Sequence, residues 1–171
     1  MPFSEGRRPM TDKPKHVPGH ITYLVCVDET DECRVAMRLA ALRARYTGGQ
    51  IVLLYVIKPA VFQHWAAVGE KMAEESRMEA EERLQVLAAE VHEYAGIMPV
   101  LFVKEGSAAE QILQLIEDEP YISAMVLGCA PEGKGNNDLV HELTSQLTKR
   151  LSIPLLIVPG NLSDQELRDL T

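Results

Sequence analysis

The sequence predicts a doubly wound α/β fold: a five-stranded parallel sheet with helices on both faces. Three observations predict it. Five short apolar runs, at 21–27, 51–57, 100–103, 124–127 and 155–158, are nearly continuous in apolar character, as expected of strands covered on both faces. The segments between them carry apolar residues at helical spacing. Strands and helices alternate throughout, and each parallel connection must cross over through a helix. In such sheets ligands sit at the carboxyl ends of the strands, where the strand order reverses.

A chain of 171 residues suits one domain with a core that needs neither disulfides nor metal. The net charge of -8 repels phosphate polymers and anionic membrane, and an aromatic content of 5% leaves few stacking residues, so neither nucleic acid nor membrane is an expected partner. Any anion site must therefore be local. No run approaches the roughly 20 apolar residues of a membrane span, and no signal-peptide pattern opens the chain, so the expected location is cytoplasmic. Cys26, Cys33 and Cys129 are odd in number and lack C-x-x-C spacing, so they read as reduced thiols rather than a disulfide framework or a zinc site. Cys129, just before a helix, reads as a small packing residue rather than a low-pKa thiol.

Residues 1–18 hold Pro2, Pro9, Pro14 and Pro18 among polar residues without apolar periodicity, and are expected to be a disordered, locally basic leader. The α/β domain is assigned to 19–160. Its first strand ends at Asp28. Thr30 is the expected N-cap of the next helix, with Asp31 and Glu32 in the first turn, Val35, Leu39 and Leu42 on one face, and Gly48 and Gly49 as the stop. Lys58 and Pro59 end the second strand. Ala80, Leu84, Leu87 and Val91 then mark a long helix over about 69–94 with a charged outer face, preceded by Trp65 as a packing lid. The third strand leads through Glu105, Gly106 and Ser107 into a helix with Ala109, Ile112, Leu113 and Ile116 inward, broken by Pro120. Leu139, Leu143, Leu147 and Leu151 continue the helical pattern after the fourth strand, and Pro154 introduces the fifth. Residues 161–171 form a short terminal helix, with Ser163 and Glu166 as a capping box and Leu162 and Leu167 as its hydrophobic staple.

The chemistry concentrates after the fourth strand. Apolar residues close on Gly128, and the following loop carries Gly133 and Gly135, a pattern similar to strand-to-helix turns that offer backbone N–H groups to anions. Asp28 is placed for helix entry or a ribose contact rather than as a general base, because no serine, cysteine or histidine is set by spacing to partner it. His141 beside Glu142 is not metal spacing, since sequence neighbours on a helix point about 100° apart.

Several of these stretches, in order, resemble the universal stress protein (UspA-like) family from Ile21 to Gly160. Val25-Cys-Val-Asp28 with Thr30 resembles its first strand and hydroxyl cap, and Leu53-Leu-Tyr-Val56 its second strand. Gly106-Ser-Ala-Ala-Glu110-Gln-Ile112 resembles its Gly-x-Pro-Ala-Glu-x-Ile turn with alanine for proline, and Met125-Val-Leu-Gly128 its fourth strand. The resemblance implies a Rossmann-like sheet of order 3-2-1-4-5, with the switch point beside Asp28 and Gly128. It also implies a non-catalytic stress-response module that acts through a regulatory protein partner, and a homodimer through strand five, Leu155, Leu156, Ile157 and Val158. Nucleotide-binding members hold adenine against the residues matched by Asp28 and Val56, and phosphates on a Gly-x-x-Gly, nine residues, Gly-Ser/Thr motif.

This chain departs from that motif. Aligned on Pro154 it reads Gly128-Cys-Ala-Pro131, nine residues, then His141-Glu142, so only the first glycine survives. Pro131 has no N–H to offer, and His141 adds bulk where glycine lets backbone approach phosphate. A Glu142 carboxylate about 4 Å from a phosphate charge costs about 4 kcal/mol at an effective dielectric near 20, roughly a thousandfold in affinity. The expectation is therefore no bound cofactor and weak or absent ATP binding. The alternative is ATP or AMP held by a different nest at Gly133 and Gly135, or through Mg²⁺ bridged by Glu142.

Overall fold

The computed structural model describes residues 18–59, 66–135, 137–145 and 149–171. The leader assigned to 1–18 lies outside these residues apart from Pro18, as do Trp65 and Leu147. The described chain runs β1 (Thr22–Cys26), α1 (Asp31–Thr47), β2 (Gln50–Ile57), α2 (Ala66–Ala95), β3 (Val100–Glu105), α3 (Ala108–Asp118), β4 (Ala124–Cys129), α4 (Asp138–Ser145), β5 (Leu155–Pro159) and α5 (Asp164–Asp169). The strands form one parallel sheet of order β3-β2-β1-β4-β5.

Alternation along each strand divides the core in two. Tyr23, Val25, Ile51, Leu53 and Val126 pack under α1 and α2, whereas Leu24, Val52, Leu54, Met125 and Leu127 pack under α3 and α4. The register sets Val25 beside Leu53 on one side and Val126 on the other. β1 and β4 start their connections on opposite faces, so the crevice between their carboxyl ends is the switch point.

Local chemistry accounts for the ends of α1. The Thr30 hydroxyl accepts the Cys33 N–H at 3.3 Å, and Gly48 closes the helix in the left-handed region at φ +65°. At α5 the capping box is complete, and the Ser163 N–H and hydroxyl, each 2.8 Å from Glu166, hold its carboxyl below its ordinary pKa. Side chains tie α5 to the body. Arg38 bridges Glu90 at 3.0 Å and Asp164 at 3.3 Å, Arg38 and Arg168 flank the Tyr94 ring, and Leu167 is fully buried.

One residue of the predicted leucine pattern falls outside its helix. α4 spans Asp138–Ser145, and Leu151 is not helical, although it packs on the second core cluster. The hydroxyls of Thr144 and Ser145 donate back to the carbonyls of Val140 and His141 at 2.6 and 2.5 Å. β3 runs two residues beyond the predicted strand, to Glu105, because it pairs with β2 as far as Ile57. Among the described residues no helix is long and apolar enough to cross a membrane.

Candidate functional site

Two clefts open at the carboxyl end of the sheet. Over β1 and β2 lies a cleft of about 410 Å³, lined among others by Asp28, Tyr55, Val56, Lys58, Glu79 and Arg83. At the switch point between β1 and β4 the crevice lined by Asp28, Thr30, Glu32, Gly128 and Asn137 is only about 40 Å³, room for a few waters at most. Asp28 is shared by both, Val56 belongs to the first and Gly128 to the second.

Asp28 is bound into helix entry. Its Oδ1 accepts the Thr30 N–H at 2.8 Å and the Thr30 hydroxyl at 2.5 Å, so the carboxylate orients the residue that caps α1. The Asp28 N–H in turn points at the Cys33 sulfur, 3.3 Å away. Burial, and then the nearby Asp28 carboxylate, push the thiols of both Cys26 and Cys33 from the ordinary 9.0 to about 12. The native state thus keeps two protons that the unfolded chain releases above pH 9. Their contribution to stability is intact below pH 9 and is lost as pH rises from there toward 12. Iodoacetamide at pH 8 is expected to label Cys26 and Cys33 only after unfolding, and the urea midpoint to fall as pH climbs above 9; native labelling at the rate of a free thiol would contradict this.

Arg83 was not visible as a site residue in the sequence. It reaches from α2 across the first cleft, donates to the Tyr55 hydroxyl at 3.1 Å, and pairs with Glu29 and Glu79. With Asp28 and Lys58 also on the rim, this cleft carries three carboxylates against two cations.

The loop after β4 is closed on itself. The Asn137 side chain takes the Ala130 N–H at 2.8 Å and returns a bond to the Ala130 carbonyl at 3.2 Å, while the Lys134 N–H reaches the Pro131 carbonyl at 3.0 Å. Gly133, third residue of that turn, has φ +73°, as such a turn requires. Gly135, also at φ +73°, lies against the Ala130 methyl and the Glu32 carboxylate. Gly133, Gly135 and Glu142 line neither cleft, and among the described residues no group of three His, Cys, Asp or Glu is placed to hold a metal ion.

With this geometry in view, the comparisons are specific. The sequence model of the universal stress protein family matches residues 22–159. The chain belongs to the universal stress protein family. Its structure is similar to that of a universal stress family protein from Burkholderia pseudomallei, with TM-score 0.63 and 17% identity over 84% of this chain and 98% of that one. It is similar to UspA from Lactobacillus plantarum, with TM-score 0.65 and 16% identity over 81% and 97%. A family protein from Arabidopsis thaliana with AMP bound gives TM-score 0.56 and 18% identity over 84% and 97%. No curated protein matches the sequence.

The strand order expected for a universal stress protein is the one observed. At the switch point the crevice holds about 40 Å³, and the backbone of the first turn of α1 packs closely against Gly128.

Proposed function

We propose that this chain is a non-catalytic regulatory module of the universal stress type that does not retain ATP. The observation that supports the reading is the narrow crevice at the switch point, about 40 Å³, whose lining glycine, Gly128, packs against the Glu32 carbonyl in the first turn of α1. What space remains, over Asp28 and Val56, matches the lower range of small-molecule sites in volume, but its carboxylates exceed its cations. Such a cleft takes the nucleoside end of an adenine nucleotide better than its phosphates. Mass spectrometry of small molecules released on denaturing the purified protein tests the reading: the expected result is no stoichiometric ATP, and ATP at one per chain would overturn it.

A second reading, adenine nucleotide binding with or without Mg²⁺, draws support from that open cleft and from relatives solved with AMP and with cAMP. On this reading AMP binds more tightly than ATP, because fewer charges meet Asp28, Glu29 and Glu79.

We also propose that the chain forms a homodimer through β5, and that its regulatory role runs through a partner protein. β5 is a sheet edge, and its Leu156 and Ile157 are 37% and 41% exposed, an apolar edge open to pairing. Light scattering at micromolar concentration is expected to give a dimer mass, and Ile157→Asp a monomer; an unchanged mass in the variant would count against this interface.

A further inference from the structure

We propose that three openings along one face of α2 form a single groove that docks an extended, basic segment of a partner protein. The proposal rests on the reading that the regulatory role runs through a partner, and names the surface used and the chemistry it fits. Beside the cleft over Asp28 and Val56 lie two more openings. One of about 130 Å³ is lined by Pro59, Met72 and Glu105, and one of about 260 Å³ by Arg34, Val86 and Leu87. Neighbouring openings share walls. Ile57, Lys58 and Ser76 line both the first and the central cleft, and Asp28, Glu29, Tyr55 and Arg83 both the central cleft and the last. Along α2 the lining residues Gly69, Met72, Ser76, Glu79, Arg83 and Val86 follow at steps of three and four, the spacing of one helix face. From Gly69 to Leu87 that face is about 27 Å long at the rise of an α-helix, more than a nucleoside spans and matched by about eight residues of extended chain.

Charge selects the occupant. α2 carries eight glutamates against Lys71, Arg77 and Arg83, a net -5 within the chain's -8, and Asp28 and Glu29 add the same sign from the facing wall. A segment rich in lysine or arginine is drawn to such a wall and an acidic one is repelled. The middle of the groove already holds a guanidinium of the chain itself. Arg83 bridges Glu29 and Glu79 and donates to the Tyr55 hydroxyl at 3.1 Å. The Arg83 and Glu29 side chains are 37% and 68% exposed, so this pair is weak and yields to the cation of an incoming chain. The groove's other cations are Lys58 and Arg34, the latter paired with Glu90 at 3.5 Å. Between the charges the central cleft is lined by Val27, Val56, Ile57 and Ala80, which suits a segment in which basic and apolar residues alternate, since successive side chains of an extended chain face opposite ways.

The test is calorimetric titration of the full chain, at physiological salt, with an eight-residue peptide of alternating lysine and valine and with the same peptide carrying glutamate for lysine. The expected dissociation constant for the basic peptide is about 100 μM or tighter, with no binding of the acidic one; anything weaker for the basic peptide would overturn the proposal. Two double variants, matched in charge, then locate the site. Glu29→Gln with Glu79→Gln, in the groove, is expected to weaken binding at least about tenfold, and Glu82→Gln with Glu93→Gln, exposed on α2 away from these openings, by less than about threefold. Equal losses would mean that the peptide follows the overall charge, and would overturn the groove. Ser76→Trp fills the junction of two openings without changing charge and is expected to lose at least about tenfold; should it fail to fold, Ala73→Trp, exposed on the same face, takes its place, and wild-type affinity in the folded variant overturns the proposal. Deleting residues 1–17 is expected to leave the affinity unchanged. A tenfold gain would mean that the chain's own basic leader competes for the groove, and would overturn a partner's segment as its occupant. The titration reads the groove alone, and ATP retention, measured on the same preparation, reads the regulatory-module proposal, so that either can fail without the other.

Discussion

Gly128→Ala is expected to destabilise the chain by about 3 kcal/mol, the upper part of the range for overpacking a close contact, and to lower the melting temperature by roughly 6–12 °C. The atom in the way is backbone, the Glu32 carbonyl and the Cys33 nitrogen in the first turn of α1, so no side-chain rotation relieves the clash. Relief requires α1 to lift from β4, which uncovers Val126 and Ala36, now fully buried. The cost follows from packing and not from dihedral strain, since Gly128 is not among the glycines with positive φ. Gly133→Ala offers the opposite case. Its Cβ meets nothing within 4 Å, so only the left-handed conformation opposes it, and about 1 kcal/mol is expected. Thermal unfolding of the two variants side by side checks the account, and equal losses would contradict it.

Leu167→Ala is the second large effect. This leucine belongs to a six-residue terminal helix, yet it is fully buried in the cluster formed by β1, α1 and α2. Truncating a fully buried leucine costs about 2–5 kcal/mol, and the polar ties of Arg38, Asp164 and Tyr94 over the same contact have no means to fill the cavity. The expected loss, about 3 kcal/mol by urea unfolding, makes α5 part of the folded unit rather than an appendage. A loss below about 1 kcal/mol would mean that α5 frays without effect on the body.

The sheet, the helix order and most boundaries were legible because their signals are local. Apolar runs marked the strands, Thr30 and Ser163 marked helix starts, and Gly48 marked a stop, each by chemistry acting within a few residues. The strand order was legible only through family resemblance, since nothing in the runs themselves says which strand lies beside which. Leu151 was misplaced on α4 because leucine spacing does not distinguish a helical residue from one that packs on the same core from outside the helix.

The candidate site was half legible. Asp28 and Val56 do meet at one cleft, and Asp28 and Gly128 at the next. Glu32 and Arg83 escaped notice because each looked like one more charge on a helix. What gives them meaning is a partner far along the chain: Gly128, Gly135 and Gly160 for Glu32, and Tyr55 and Glu29 for Arg83. Gly128 lies against the backbone of α1 and Gly135 against the Glu32 carboxylate, whereas Gly133 meets nothing within 4 Å, a difference that glycine spacing alone does not carry.

The central claim is that the switch-point crevice is closed to phosphates while the Asp28 and Val56 cleft stays open. Calorimetric titration of the wild-type chain with ATP and with AMP, each with and without Mg²⁺, tests it most directly. The account predicts ATP dissociation constants no better than high micromolar, about 100 μM or weaker, with AMP losing less affinity than ATP and Mg²⁺ making little difference. Low-micromolar ATP binding without metal would contradict it.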